Sequence, residues 1–152
     1  MVVNLSKSNL VVAVFGAGTM GRGIAQVCAQ AGLITLLFDS RDGAVGEAIA
    51  AIDRGLEGLV SKGRLTAVAK QNVLNQVKPI HSFDEAKNAD VVIEAIVEDL
   101  HAKRELFRVL ENCLSRDAVL ATNTSSLSVT EVAAACERSE RVGGLHFFNP
   151  PP

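Results

Sequence analysis

The sequence predicts an α/β domain built on a doubly wound, mostly parallel sheet. Two observations lead to this fold class. Short apolar runs rich in β-branched residues alternate with segments of helical periodicity, and a glycine-rich turn follows the first run. Parallel strands covered on both faces need apolar side chains throughout, and a composition that is 48% apolar supplies them. The length of 152 residues, with 21% charged residues, fits one domain over 1–152.

The first unit of the chain combines a strand, a glycine turn, a helix and a second strand. Residues 10–15 form a short apolar run bounded by glycine, and residues 20–31 place apolar side chains at helical spacing. Gly32 stands where the helix would end, and a second buried strand over 33–38 closes at Asp39. The second strand therefore follows the glycine turn after a single helix.

The rest of the chain continues the same alternation. Asp42 and Thr66 are expected to cap two helices, over about 42–61 and 66–75. This helical pair is longer than a plain crossover requires, and we expect it to project from the sheet. The remaining expected elements are strands over 77–80, 90–94, 118–122 and 142–146, a helical turn over 84–88, and helices over 98–114 and 128–136.

Charge and cysteine usage argue against several classes of function. The net charge of -2 provides no basic surface for nucleic acid or an anionic membrane. No apolar run reaches the roughly 18–20 residues of a membrane span. Cys28, Cys113 and Cys136 are distant in sequence and include no CxxC pair, so we predict neither a disulfide framework nor a metal site. Free thiols are typical of a reducing compartment, and we expect a cytoplasmic protein.

The pattern G-x-G-x-x-G at Gly16, Gly18 and Gly21 is the most specific chemical signal. Here it follows a predicted strand and opens a helix, as in Rossmann-type dinucleotide-binding domains. Gly16 allows the tight turn, Gly18 lets the backbone approach a pyrophosphate, and Gly21 lets the helix pack closely. The helix start, where Thr19 and Met20 lie, offers free amides to the phosphates. A glycine turn without a ligand is the alternative.

Asp39 lies 21 residues after Gly18, at the end of the second strand. A carboxylate at that position accepts hydrogen bonds from the adenosine ribose and repels a 2′-phosphate, which predicts NAD rather than NADP. Arg41 supports the opposite interpretation, since an arginine near this point can accept the phosphate. A surface or adenine-stacking role is the other interpretation of Arg41, and a turn acid at the strand end is the other interpretation of Asp39.

Polar clusters follow three later strands, at residues 94–98, 123–126 and 146–149. Ligands of doubly wound sheets bind beyond the carboxyl ends of the strands, so these clusters should meet the glycine turn in one crevice. His146 is expected to end the last strand at this edge, where a neutral imidazole could take a proton from an alcohol as hydride leaves. His81 and His101, in contrast, are interpreted as surface residues.

Four blocks of the sequence resemble the 3-hydroxyacyl-CoA dehydrogenase family, in order and over nearly the whole chain. The resemblance implies that His146 is the general base, deprotonating the 3-hydroxyl while hydride passes to NAD. It also implies that Ser125 contacts both cofactor and substrate. The blocks are Gly16-Ala-Gly-Thr-Met-Gly-Arg-Gly-Ile-Ala25, Glu94-Ala-Ile-Val-Glu98, Asn123-Thr-Ser-Ser126 and His146-Phe-Phe-Asn-Pro150.

Further binding residues follow from the same resemblance. Glu98, Lys103 and Asn149 match positions that contact the cofactor, and Lys62 matches a lysine near the CoA. Gly55 stands where the family has a serine at that CoA contact, which departs from the family pattern. No metal is implied, and NAD is the expected cofactor.

The resemblance implies two further parts, which we expect beyond Pro152. One is the glutamate that orients the catalytic histidine, and the other is a helical domain that completes the acyl pocket and commonly the dimer interface. We therefore expect an acyl-CoA substrate and a homodimer for a full-length parent, and an isolated chain that is inactive. A carboxylate that hydrogen-bonds a catalytic histidine fixes the position and tautomer of the imidazole.

Other functions remain open at this point. A related branch of the same superfamily oxidises sugar acids, although the Phe147–Phe148 pair favours the acyl-CoA branch. A non-catalytic nucleotide-binding module, as in crystallins of this superfamily, is the alternative from another class. Within the family, residues 62–66 are similar to bacterial members, including those of phenylacetate breakdown. We expect a role in fatty-acid or aromatic-acid degradation.

Overall fold

A computed structural model describes residue 7 and residues 9–148 of the chain. Six strands alternate with five helices in these residues. The strands are β1 (Val11–Phe15), β2 (Ile34–Phe38), β3 (Val77–Pro79), β4 (Val91–Glu94), β5 (Val119–Thr122) and β6 (Val142–Gly144). The helices are α1 (Thr19–Gln30), α2 (Ala44–Ser61), α3 (Ala67–Gln76), α4 (Leu100–Cys113) and α5 (Val129–Ala133), with 3-10 turns at Phe83–Ala86 and Ser139–Arg141.

The six strands form one parallel sheet in the order β3-β2-β1-β4-β5-β6. The strand order reverses between β1 and β4, which is the switch point where α/β sheets bind ligands. Glu94 lies opposite Phe15 of β1 and opposite Thr122 of β5, so these three strands end together. The predicted doubly wound parallel sheet is confirmed.

Two apolar layers cover the sheet, and β1 contributes alternate side chains to them. Val12 and Val14 pack with α1, α2 and α3, whereas Ala13 and Phe15 pack with α4 and α5 on the other face. Val14 and Phe15 are both fully buried. A strand enclosed on both faces needs an apolar side chain at every position, which explains the continuous apolar run at residues 10–15.

The helical pair α2–α3 packs on α1 through one apolar face of α2, where Ile52 and Leu56 are buried. Lys70 of α3 joins the two helices through ion pairs to Asp53 and Glu57, at 2.7 and 2.6 Å. The 18 residues of α2 span about 27 Å at the helical rise, whereas a five-residue strand spans about 17 Å. Helix α2 is therefore longer than a strand of the sheet, and the projection of the helical pair stays a prediction.

Several predicted element ends differ from the observed ones. Asp42 is not the cap of α2, so that prediction is wrong. Gly43 is the N-cap, and it has a φ of 79°, a left-handed conformation that favours glycine. The last strand ends at Gly144, where its pairing with β5 ends at Thr122, so the expectation that His146 ends this strand is wrong and His146 lies in the segment after it. The helix that starts after Ser128 ends at Ala133, which is earlier than predicted.

Other local predictions are confirmed. The Thr66 hydroxyl accepts a hydrogen bond from the Ala69 amide at 3.1 Å and so caps α3. Gly32 ends α1 with a φ of 81°. His81 and His101 are exposed. None of the helices in the described part of the chain combines the length and apolar character needed to cross a bilayer.

Candidate dinucleotide-binding site

The glycine turn between β1 and α1 leaves no room for side chains at two of its positions. Gly16 has a φ of 107°, and a Cβ there would lie 2.4 Å from the carbonyl oxygen of Ala95. A Cβ on Gly21 would lie 1.7 Å from the carbonyl oxygen of Gly16, so α1 packs directly on the turn. Gly18 is different, because a Cβ added there would have nothing within 4 Å. The open side of Gly18 is where a ligand could approach the backbone.

The start of α1 has free hydrogen-bond donors. Gly18 is the N-cap residue and no side chain caps the helix. The first amides of a helix have no partner within it, so Thr19 and Met20 can donate to a bound anion. The first turn of α1 also contains no acidic residue that would oppose an anion. These features fit a pyrophosphate.

Asp39 connects the end of β2 to the glycine turn. Its Oδ2 accepts a hydrogen bond from the Ala17 amide at 2.7 Å, and its Oδ1 accepts one from the Arg41 amide at 2.8 Å. A carboxylate has about four acceptor sites, so Asp39 keeps capacity for ribose hydroxyls. The Arg41 guanidinium instead forms a two-point ion pair with Glu47 of α2, at 2.7 and 3.3 Å. This exposed pair favours the surface interpretation of Arg41.

A cavity of about 410 Å³ lies at the switch point, bounded by the glycine turn and Asp39. Three aromatic rings form part of its lining, namely Phe15, Phe38 and Phe83, with ring centroids 5.0 to 5.4 Å apart. The sequence interpretation missed Phe38 and Phe83 as site residues. Phe38 directly precedes Asp39, which is a usable signal, but nothing in the sequence distinguishes Phe83 from a core residue.

A second cavity, of about 310 Å³, adjoins the first, and Ala95 and Ile96 line both. The predicted polar clusters therefore meet at one edge of the sheet. Asn123 holds the last segment in place, since its Oδ1 accepts a hydrogen bond from the Phe147 amide at 2.7 Å. The other residues that line this cavity are Met20, Glu98, Asn123, Ser125, His146, Phe147 and Phe148.

Glu98 organises the loop after β5. Its Oε1 accepts hydrogen bonds from the Ser125 and Ser126 amides, at 3.1 and 3.2 Å, and also from the hydroxyls of Thr124 and Ser126. Burial raises the pKa of the Glu98 carboxyl, but the hydrogen bonds from Thr124, Ser126 and Lys103 outweigh that effect and hold the pKa at about 2. Glu98 is therefore ionised at neutral pH, with its carboxylate beside Ser125.

Lys103 lies below this cavity and is only 1% exposed. Its Nζ is 2.6 Å from Glu94 Oε1 and 3.3 Å from Glu98 Oε2. Lys103 lines neither cavity, so a direct contact with a cofactor stays a prediction. Glu94, which is fully buried, belongs to the predicted polar cluster at residues 94–98, but the sequence interpretation gave it no role of its own.

Three further residues were predicted to belong to the site, namely His146, Lys62 and Asn149, and of the two that the structure describes only His146 lies at one of the two cavities. His146 is exposed at the second cavity, and its ring centroid lies 4.9 Å from that of Phe148. No described residue hydrogen-bonds the His146 imidazole. Lys62 lies at the exposed far turn of the helical pair and lines neither cavity. Asn149 lies outside the described residues.

Several known dehydrogenases are similar to this chain in sequence. A 3-hydroxybutyryl-CoA dehydrogenase of Clostridioides difficile is 41% identical over 93% of this chain and 50% of its own length. A 3-hydroxyadipyl-CoA dehydrogenase of Escherichia coli is 44% identical over 93% of this chain and 30% of its own length. The chain therefore spans about half the length, or less, of the curated relatives it matches.

Solved structures show the same similarity in three dimensions. The crystal structure of (S)-3-hydroxybutyryl-CoA dehydrogenase from Ralstonia eutropha superposes with a TM-score of 0.92 at 39% identity, covering 95% of this chain and 51% of that one. The crystal structure of 3-hydroxybutyryl-CoA dehydrogenase from Escherichia coli also gives 0.92, at 42% identity, covering 96% of this chain and 31% of that one. Residues 11–152 match the family described as "3-hydroxyacyl-CoA dehydrogenase, NAD binding domain". This chain belongs to that family of NAD-binding domains.

Proposed function

We propose that this chain binds NAD and supplies the general base of a dehydrogenase that interconverts 3-hydroxyacyl-CoA and 3-ketoacyl-CoA. The observation that carries the proposal is the pair of adjoining cavities at the switch point of the sheet. One cavity is bounded by Gly18 and Asp39, and the other by Ser125 and His146. A dinucleotide is an elongated ligand with chemically different ends, and this crevice offers different chemistry at its two ends.

The first cavity suits the adenosine half. The α1 amides and the open face of Gly18 would bind the pyrophosphate. The free acceptor sites of Asp39 would bind the ribose hydroxyls, and the faces of Phe38 and Phe83 offer an apolar surface for adenine. A second phosphate on that ribose would lie against the Asp39 carboxylate, so we propose NAD rather than NADP.

The second cavity suits the reacting half. Bound NAD supplies a hydride acceptor at its nicotinamide ring. A neutral His146 imidazole would take the proton of the 3-hydroxyl group and return it in the reverse direction. Ser125 would contact both cofactor and substrate. The remaining residues proposed to contact the cofactor are Thr19, Met20, Glu98, Lys103 and Asn149.

The names of the relatives support an acyl-CoA substrate, with Lys62 as the proposed contact of the CoA. A homodimeric full-length parent is part of the same proposal.

The proposed location is the cytoplasm. The cysteines Cys28, Cys113 and Cys136 are free thiols, which are typical of a reducing compartment.

A binding-only function for the isolated chain is favoured by one specific observation. The His146 imidazole has no hydrogen-bond partner among the described residues, and a general base needs a group that orients it. We therefore propose that the 152-residue chain binds the cofactor without efficient catalysis.

Titration with cofactors tests this function directly. The chain contains neither Trp nor Tyr, so the fluorescence of NADH can be followed without emission from these residues. We expect saturable binding of NADH and much weaker binding of NADPH, with calorimetry as an independent readout. If the chain binds neither dinucleotide, the proposal is wrong.

A further inference from the structure

A closed network of polar side chains lies below the second cavity. It consists of Glu94, Lys103, Glu98, Thr122 and Thr124, and we call it the buried polar network. Glu94 is fully buried and Lys103 is 1% exposed. Glutamate and lysine are almost never fully buried unless they are paired, so this pair needs an explanation.

Glu94 is the anchor of the network because its carboxylate accepts from three elements. Its Oε1 accepts a hydrogen bond from the amide of Ile96, which follows β4, at 2.7 Å. The same oxygen accepts one from the Nζ of Lys103, on α4, at 2.6 Å. Its Oε2 accepts the Thr122 hydroxyl, at the end of β5, at 2.7 Å. One buried side chain thus fixes the ends of two strands and the first turn of a helix at the crevice.

Lys103 extends this anchoring to the wall of the cavity. Its Nζ lies 3.3 Å from Glu98 Oε2, while Glu98 Oε1 accepts the Ser125 amide at 3.1 Å. The Thr124 hydroxyl also donates to Glu98, and the Thr124 amide donates to the Thr122 hydroxyl at 3.3 Å. A continuous set of hydrogen bonds and ion pairs therefore connects Glu94 to the Ser125 loop.

Stability alone is a poor explanation for three charged groups at this place. Apolar residues of similar volume often replace a buried ion pair without loss of stability, because the desolvation cost offsets the attraction. The network also sits at the reacting end of the crevice and not in the centre of either apolar layer. Its geometry therefore suits a role in positioning the residues above it.

We propose that Glu94 is a positioning residue for the nicotinamide end of the site. By holding Lys103 from below, Glu94 fixes Glu98 and, through Glu98, the loop that presents Ser125. This inference rests on the proposed function, since it assumes that the second cavity receives the nicotinamide half. Its distinctive consequence is selectivity, because neither Lys103 nor Glu98 lines the cavity at the Asp39 end. Ile96 lines both cavities, but a glutamine at position 94 keeps an oxygen that can accept the Ile96 amide.

The test compares two ligands on a Glu94→Gln variant of the chain. ADP contains the adenosine and pyrophosphate part only, whereas NADH also contains the nicotinamide end. We expect the Kd of NADH to rise about tenfold, which is the lower end of what losing an outer hydrogen-bond partner costs a metal site. The Kd of ADP should change less than about twofold, within the few tenths of a kcal/mol expected of uncoupled sites. Calorimetry gives both constants.

A matched control is available in α4, the helix that carries Lys103. The Glu111 side chain is only 13% exposed and accepts the amides of Glu137 and Arg138, at 2.7 and 3.0 Å. Glu111 lies near the end of α4 and lines neither cavity. Glu111→Gln removes a similar carboxylate and should leave the affinities for NADH and ADP unchanged.

A milder variant covers the case in which Glu94→Gln does not fold. Thr122→Val removes one of the three donors to Glu94 and keeps the shape of the side chain. This variant should raise the Kd of NADH about two- to tenfold, as expected for the loss of one hydrogen bond, and should leave the Kd of ADP unchanged. Thr122→Ser, which retains the hydroxyl, should restore the affinity for NADH.

The outcomes separate the two proposals. If the unaltered chain binds no NADH, the proposed function fails and this inference fails with it. If the unaltered chain binds NADH but the folded Glu94 or Thr122 variants bind it equally well, only the positioning role is wrong. An equal rise in the Kd of NADH and in the Kd of ADP would also overturn the positioning role, because it would indicate a general structural effect.

Discussion

Two substitutions in the glycine turn should separate its role in the fold from its role in binding. Gly21→Ala places a Cβ 1.7 Å from the carbonyl oxygen of Gly16, whereas real Cβ contacts stay above 3.0 Å. Helix α1 must therefore move outward by more than 1 Å, or the turn must open. Overpacking of this kind costs about 1–3 kcal/mol, which lowers the melting temperature of a domain of this size by about 2–12 °C.

Gly18→Val should have the opposite profile. Nothing lies within 4 Å of a Cβ at Gly18, so the side chain enters open space in the crevice. Replacing a glycine N-cap costs at most about 1 kcal/mol of stability. The valine would keep the pyrophosphate from the α1 amides. The loss of one such charge-assisted hydrogen bond costs about 1.5–3 kcal/mol, which corresponds to a rise in Kd of about 10- to 140-fold.

The assay combines thermal melting, followed by far-UV circular dichroism, with titration of NADH. Gly58→Val is a matched control, since Gly58 is exposed on α2 and also has nothing within 4 Å of its Cβ position. The control should retain the affinity of the unaltered chain. If Gly18→Val binds NADH as tightly as the control, the glycine turn is not the pyrophosphate site.

The remaining predictions concern specificity, pH and catalysis. Asp39→Ala should narrow the preference for NAD over NADP, measured as the ratio of the two Kd values by calorimetry. Glu47→Gln, which frees the Arg41 guanidinium from its ion pair, should narrow this preference further. Tighter binding of NADP than of NAD by the unaltered chain would refute the role of Asp39. The pKa of Glu98 is depressed to about 2, so its stabilising contribution is present above the ordinary carboxyl pKa of about 4.3 and is lost as the pH falls toward 2. Glu98→Gln should reduce the difference between urea unfolding at pH 5 and pH 3, and an unchanged difference would contradict the depressed pKa. The isolated chain should turn over acetoacetyl-CoA at a rate near the detection limit, because no described residue hydrogen-bonds the His146 imidazole. The scale of the effect comes from serine proteases, where altering the carboxylate that orients the catalytic histidine costs about 10⁴ in kcat. His146→Gln in a full-length parent should abolish most of the rate while leaving NADH affinity largely unchanged, and saturable turnover by the isolated chain would contradict this assignment.

The fold was predictable because its signals are local. An apolar run such as residues 10–15 and a glycine turn at Gly16 specify a strand and a tight connection without knowledge of the rest of the chain. Strand alternation then implies a parallel sheet, and the sheet brings the polar clusters to one edge. Element ends were less predictable, because they depend on neighbours. Asp42 looks like a helix cap in sequence, but the left-handed Gly43 turns the chain before α2 begins.

The buried polar network was not predictable, because the tertiary structure alone makes it a network. Glu94 and Lys103 are nine residues apart, on a strand and a helix, and charged residues of these types are ordinarily solvated. One signal was available, since Glu94 directly follows the apolar residues 91–93 and ends a strand that is enclosed on both faces. A carboxylate at the inner end of such a strand must find donors close by, and the nearest ones belong to the loop and helix that follow. Charged residues at the carboxyl ends of central parallel strands are therefore candidates for positioning roles even when the motif that contains them gives them no role.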